Sequence, residues 1–148
     1  MPTMSGSILS WMTHHWNFLF ARKHLAPYER LVLDAWRSSL PEDGRSIINE
    51  QIEAASFVQH QAGGTKVCFF YRSGRGMRLF PLDRPDQHVA TVFLRAEGVA
   101  ELRAKIFLHR GRLFSIEFPK RPDRYVQQHN MLGGAWRVVR TETHIVPL

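Results

Sequence analysis

Two periodicities divide the chain. From about residue 7 to residue 56 apolar side chains recur at three- and four-residue spacing, and beyond Phe57 they alternate with polar ones. The first pattern lines one face of a helix and the second lines one face of a strand.

Ile8, Trp11, Met12, Trp16 and Leu19 predict a helix from about Ser7 to His24, its face widened by Phe18 and Phe20. Arg22, Lys23 and His24 suit the negative end of its dipole. A helix this rich in Trp and Phe could lie on a membrane, but no Lys/Arg stripe flanks its apolar face. Packing on the protein's own sheet or on a second subunit is therefore the expectation. A second helix starts near Pro27, a residue suited to the first helical turn, and carries the stripe Tyr28, Leu31, Val32, Ala35 and Trp36. It stops around Ser38 to Leu40, because Pro41 disfavours helical geometry in the residue before it. Ile47, Ile48, Gln51, Ile52 and Ala55 mark one side of a third.

The alternating part predicts strands near Phe57–Gln61 and Lys66–Arg72, separated by Gly63-Gly64, then Met77–Phe80, His88–Ala96 and Ala135–Thr143. Between them lies a hairpin. Leu102, Ala104, Ile106 and Leu108 alternate with polar neighbours, and the return strand Arg112–Phe118 offers Phe114, Ile116 and Phe118. A three-residue loop, His109-Arg110-Gly111, with glycine in the left-handed position, pairs Ile106 with Phe114, Ala104 with Ile116 and Leu102 with Phe118. It also sets Arg103 opposite Glu117. The expected architecture is one α+β domain over residues 1–148. About three N-terminal helices (1–56) pack on one face of a twisted, mainly antiparallel sheet of about six strands (57–148).

The 148-residue length and the 44% hydrophobic and 22% charged content agree with one globular domain. Charge adds an asymmetry: residues 1–56 sum to −1 and residues 57–148 to +8. The sheet part thus carries the basic excess, which attracts phosphates, acidic protein surfaces or anionic lipid and also favours solubility. No stretch reaches the roughly 18 apolar residues of a membrane span, and no basic segment precedes the first apolar residues, so a cytoplasmic location is expected. The single cysteine, Cys68, sits among Val67, Phe69 and Phe70, where a buried, inert thiol is expected.

Candidate chemistry is sparse. The eight histidines include no HExxH pair and no cysteines to complete a zinc site; neither a metal nor a cofactor is called for. A G-x-S-x-G elbow and a Walker lysine are absent, and Gly74-Arg75-Gly76 reads as a turn. Glu117 is the acid to test first, near Arg103 and Lys105, with a cross-strand ion pair as the simpler role. If the strands run up and down in sequence order, one end of the sheet gathers Arg72, Arg75, Lys120, Arg121 and Arg124 into an anion-binding cluster edged by Tyr125.

Three functions follow from these residues. The first is a non-enzymatic protein that engages an anionic partner, another protein before others, through this basic end. The second is a small-ligand carrier or enzyme with a site in a concave sheet face using Glu117, His109 or Tyr125. The third is a nucleic-acid binder, for which Phe70, Phe107 and Leu113 on the non-core face would supply stacking surfaces, without any RNP-like pattern, helix-turn-helix or zinc module to support it. Homo-oligomerisation is compatible with each.

Overall fold

In the computed structural model two helices and six strands form over the described residues, which are 25–61, 65–72, 76–82, 84–96, 101–119 and 136–144. Helix α1 spans Pro27–Ser39 and α2 spans Glu42–Ala54. The strands are β1 (Phe57–His60), β2 (Lys66–Phe70), β3 (Asp86–Arg95), β4 (Leu102–His109), β5 (Arg112–Glu117) and β6 (Arg137–Thr143). The helix expected over Ser7–His24 lies outside the described residues. The chain is α+β with an open antiparallel sheet, ordered β1-β2-β5-β4-β3-β6.

Local chemistry sets the helix ends. Pro27 occupies the first turn of α1, and the Glu29 carboxylate accepts the Ala26 amide at 2.7 Å, satisfying a donor the helix cannot. The same carboxylate is fully buried and accepts from His60 Nε2 of β1 at 2.8 Å. This bond pins the start of α1 to an edge strand, because a buried carboxylate needs a partner. Pro41 separates the helices, and Glu42 and Asp43 place negative charge in the first turn of α2.

Both helices lie on one face of the sheet. Val32, Leu33 and Trp36 of α1 and Ile48 and Ile52 of α2 meet Val67, Val92, Leu94, Ala104, Ile106, Leu108, Leu113 and Ile116, all essentially inaccessible. Each large aliphatic side chain buried in this way stabilises the fold by about 1.5–3 kcal/mol, before conformational entropy is set against it. The helix-covered side is the core face of the sheet, and the other is its second face.

Three expectations are corrected. Residues 77–80 form no strand: they run beside the β4–β5 turn, where the Phe80 amide donates to Gly111 O at 2.9 Å. The sheet is not an up-and-down meander either. After β2 the chain crosses to β3, passing the tip of the β4–β5 hairpin, where the Arg110 amide donates to Pro85 O.

The hairpin register also differs. Its turn contains two residues, Arg110 (φ 49) and Gly111 (φ 77), the backbone pattern of the common two-residue hairpin turn. Such a turn alone would bring Ser115 to the core. A bulge restores the phase: Leu108 pairs with Leu113, Phe107 with Ser115 and Ile106 with Ile116, leaving Phe114 as the extra residue. Leu113, expected outside the core, is therefore buried in it. Lys105, not Arg103, faces Glu117.

Candidate functional site

The second face is built from the residues that alternate with the core. Across the middle of the sheet Cys68 pairs with Ser115, Ser115 with Phe107 and Phe107 with His88. The next row runs Lys66, Glu117, Lys105, Thr91 and Glu142. Beyond it Arg103 and Arg140 flank Phe93 on its two sides, and Arg95 faces Arg137.

The last group is an arginine cluster around one aromatic ring. The Arg140 guanidinium stands 3.8 Å from the Phe93 centroid and that of Arg103 stands 5.5 Å from it. Phe93 is buried beneath them, while the Arg95, Arg103 and Arg140 side chains are 53%, 62% and 52% exposed. Glu101 answers Arg95 and Arg103 at 3.5 and 3.9 Å, and Glu142 takes Arg140 at 3.0 Å. The cations exceed the carboxylates, and Arg95 opposite Arg137 is a like-charged cross-strand pair whose repulsion Glu101 relieves only on the Arg95 side.

Glu117 sits between two lysines because β5 is flanked by β2 and β4. Lys66 Nζ is 3.1 Å from its Oε1, and Ser115 Oγ donates to the same oxygen at 3.1 Å. Beside it opens a depression of about 350 Å³ lined by Gln61, Thr65, Lys66, Lys105, Glu117, Phe118 and Pro119.

A histidine pair closes the row above. His88 Nε2 donates to Ala90 O at 3.0 Å and lies 3.0 Å from Thr91 Oγ1, which is 2.9 Å from His144 Nε2. The two rings are 4.4 Å apart, and Phe107 stacks on His88. Burial, and after it the neighbouring His144, lowers the His88 pKa below its ordinary value. Burial likewise raises the Cys68 thiol above the usual range. The Tyr71 hydroxyl is driven well above its ordinary range by burial while it donates to Leu113 O at 2.6 Å.

Glu117 lies in the depression, as described. His109 stands at the other end of the hairpin, bonded to Asp86 at 2.5 Å, and does not join Glu117. Arg72 is exposed, its amide donating to Ser56 Oγ at 3.0 Å. Because β2 and β5 are antiparallel, the chain leaves Phe70 toward Arg72 at the end of the sheet opposite to its exit from Glu117. The meander that would have grouped Arg72 with the segment after Phe118 is thus replaced by the crossover. Arg75, Lys120, Arg121, Arg124 and Tyr125 lie outside the described residues. Sequence reasoning missed the Arg95–Arg137 pair; its only sequence signal is that both fall on the polar phase of their strands.

Among the described residues no group of three or more His, Cys, Asp or Glu is placed to hold a metal ion, and no helix is long and apolar enough to cross a membrane. The chain matches no protein-family model, no curated protein and no solved structure.

Proposed function

We propose that the chain is a non-enzymatic binding protein that engages an anionic surface of another protein through the basic second face of its sheet. The observation that carries this reading is the exposed arginine cluster, with Arg95 and Arg137 opposed across β3 and β6 and Arg103 and Arg140 on Phe93. Guanidinium groups held on adjacent strands are spaced along a sheet, so they suit several carboxylates presented by a folded or extended acidic partner. Stacking on Phe93 restrains two of them, which lowers the entropy lost on binding. This arginine cluster is distinct from the basic end expected from sequence, of whose residues only Arg72 is described.

Nucleic acid is the competing occupant, and exposed stacking aromatics would favour it. Phe93 is buried under its arginines, and the exposed stacked pair Phe57 and Phe70 lies at the opposite edge of the sheet. The exposed aromatic pair thus stands apart from the arginine cluster, which favours the protein partner.

Fluorescence anisotropy with an acidic peptide rich in Glu and Tyr, and with a single-stranded oligonucleotide of equal charge, tests the reading. The peptide is expected to bind more tightly at physiological salt. The double variant Arg95→Glu/Arg137→Glu is expected to weaken it at least about tenfold with its circular dichroism unchanged. Tighter oligonucleotide binding with a steep salt dependence, or peptide binding indifferent to the double variant, overturns it.

A further inference from the structure

We propose that the depression beside Glu117 is a separate binding site for a small organic carboxylate with an apolar body. Its volume of about 350 Å³ falls at the small end of ligand sites, which run from about 300 to 1,000 Å³. Its lining is divided: Gln61, Thr65, Lys66, Lys105 and Glu117 supply polar groups, and Pro119, with the edge of Phe118 whose ring is otherwise packed in the core, supplies the apolar part.

Charge selects the ligand. Glu117 is engaged at Oε1 by both Lys66 and Ser115, so one lysine is compensated inside the site. Lys105, paired in register with Glu117 from the other side, adds a second ammonium group. Two ammonium groups around one carboxylate leave the depression net positive, and an incoming carboxylate restores the balance. Lys66 is also held over the Phe114 ring at 5.1 Å, which fixes the position of its ammonium group. The bulge that makes Phe114 the extra residue of β5 is thereby tied to the site, since the same insertion brings Glu117 and Ser115 onto the second face.

The site shares no residue with the arginine cluster, so each can fail alone. The test is a titration of the ¹⁵N-labelled protein with phenylacetate, and in a parallel arm with inorganic phosphate. Saturable shifts at the amides of Lys66, Lys105 and Glu117 are expected with millimolar phenylacetate, with weaker binding of phosphate. Lys105→Ala is expected to reduce the affinity about tenfold, the scale of one charge-assisted hydrogen bond. Glu117→Gln, which removes the competing negative charge, is expected to strengthen binding several-fold; a purely structural Glu117 would give no such gain. Non-saturating shifts, phosphate binding as tight as phenylacetate, or an affinity unchanged by Lys105→Ala overturns the proposal. Arg95→Glu/Arg137→Glu should leave these shifts intact.

Discussion

Gln51, in the third turn of α2, holds the backbone of Gly111 at the tip of the β4–β5 hairpin: its Nε2 donates to Gly111 O at 2.8 Å. The same amide donates to Arg78 O at 3.0 Å, and its Oε1 accepts the Leu113 amide at 2.8 Å. One fully buried side chain thus joins a helix, a hairpin and the crossover between β2 and β3. It aligns the strand that carries Ser115 and Glu117, so the second face depends on a polar contact on the core face.

Replacing Gln51 with Leu should be among the more damaging single changes. The volume is nearly kept, but the Leu113 amide and the Arg78 carbonyl lose their bonds to this side chain. A buried polar group without a partner costs about 1–3 kcal/mol, so a loss of roughly 3 kcal/mol is expected. Urea unfolding measures it through a lower midpoint at an unchanged slope. A shift within experimental scatter would show that this amide does not organise the hairpin.

Gly111 and Gly76 should separate two costs of replacing glycine. Both have positive φ, 77° and 81°. A Cβ at Gly111 would come within 2.4 Å of Phe80 O and 3.1 Å of Leu79 Cβ, whereas one at Gly76 meets nothing within 4 Å. Gly76→Ala should therefore cost only the left-handed backbone penalty, about 1–2 kcal/mol. Gly111→Ala should cost clearly more, since the crossover backbone must move and its bond to Phe80 must stretch. Equal losses in urea unfolding would contradict this account.

How much was legible depends on how local each feature is. Pro27 and Pro41 bound their helices through backbone geometry, so those helices are readable from neighbouring residues. The hairpin was readable as two strands, but its register was not. Strict alternation runs Phe114, Ile116, Phe118, and only a bulge lets Leu113 join Ile116 on the core face in place of Phe114. The choice is made by a bulge and by Gln51, sixty residues from Gly111. Strand order was further out of reach, because the crossover sends β3 past two strands not yet made. Glu117 could be singled out from its own alternation with Lys105 near it, whereas Lys66 required the pairing of β2 with β5. Arg95 and Arg137 become neighbours only through the β3–β6 pairing, to which neither segment alone points.

Cys68 should be a silent thiol. It is 8% exposed on the second face, opposite Ser115, and burial raises its pKa, with Lys66 opposing and Glu117 adding to the rise. The thiolate is the reactive form, so both accessibility and ionisation slow its chemistry. Reaction with a disulfide reagent near neutral pH should be much slower in the folded protein than in urea. A folded-state rate equal to the unfolded one would place Cys68 in an accessible, ionised environment.

His88 should make stability fall on mild acidification. It faces the His144 ring, the Thr91 hydroxyl, the Ala90 carbonyl and Phe107, with Lys105 adding positive and Glu117 negative charge. Burial, then His144, depresses its folded pKa below the ordinary 6.5, with the Ala90 carbonyl pulling the other way. Above 6.5 the residue is neutral in both states and its contribution is complete. As pH falls below 6.5 the unfolded chain takes the proton first, so stability declines until the depressed folded pKa is passed. A proton on His88 would also place a cation 4.4 Å from His144, whose amide anchors the end of β6 by donating to Val89 O at 2.9 Å. In urea unfolding between about pH 7.5 and about pH 5, the wild type should lose more stability than His88→Asn, whose side chain does not titrate. Parallel curves for the two proteins would rule out His88 as the titrating group, and a larger loss in the variant would reverse the sign of the shift.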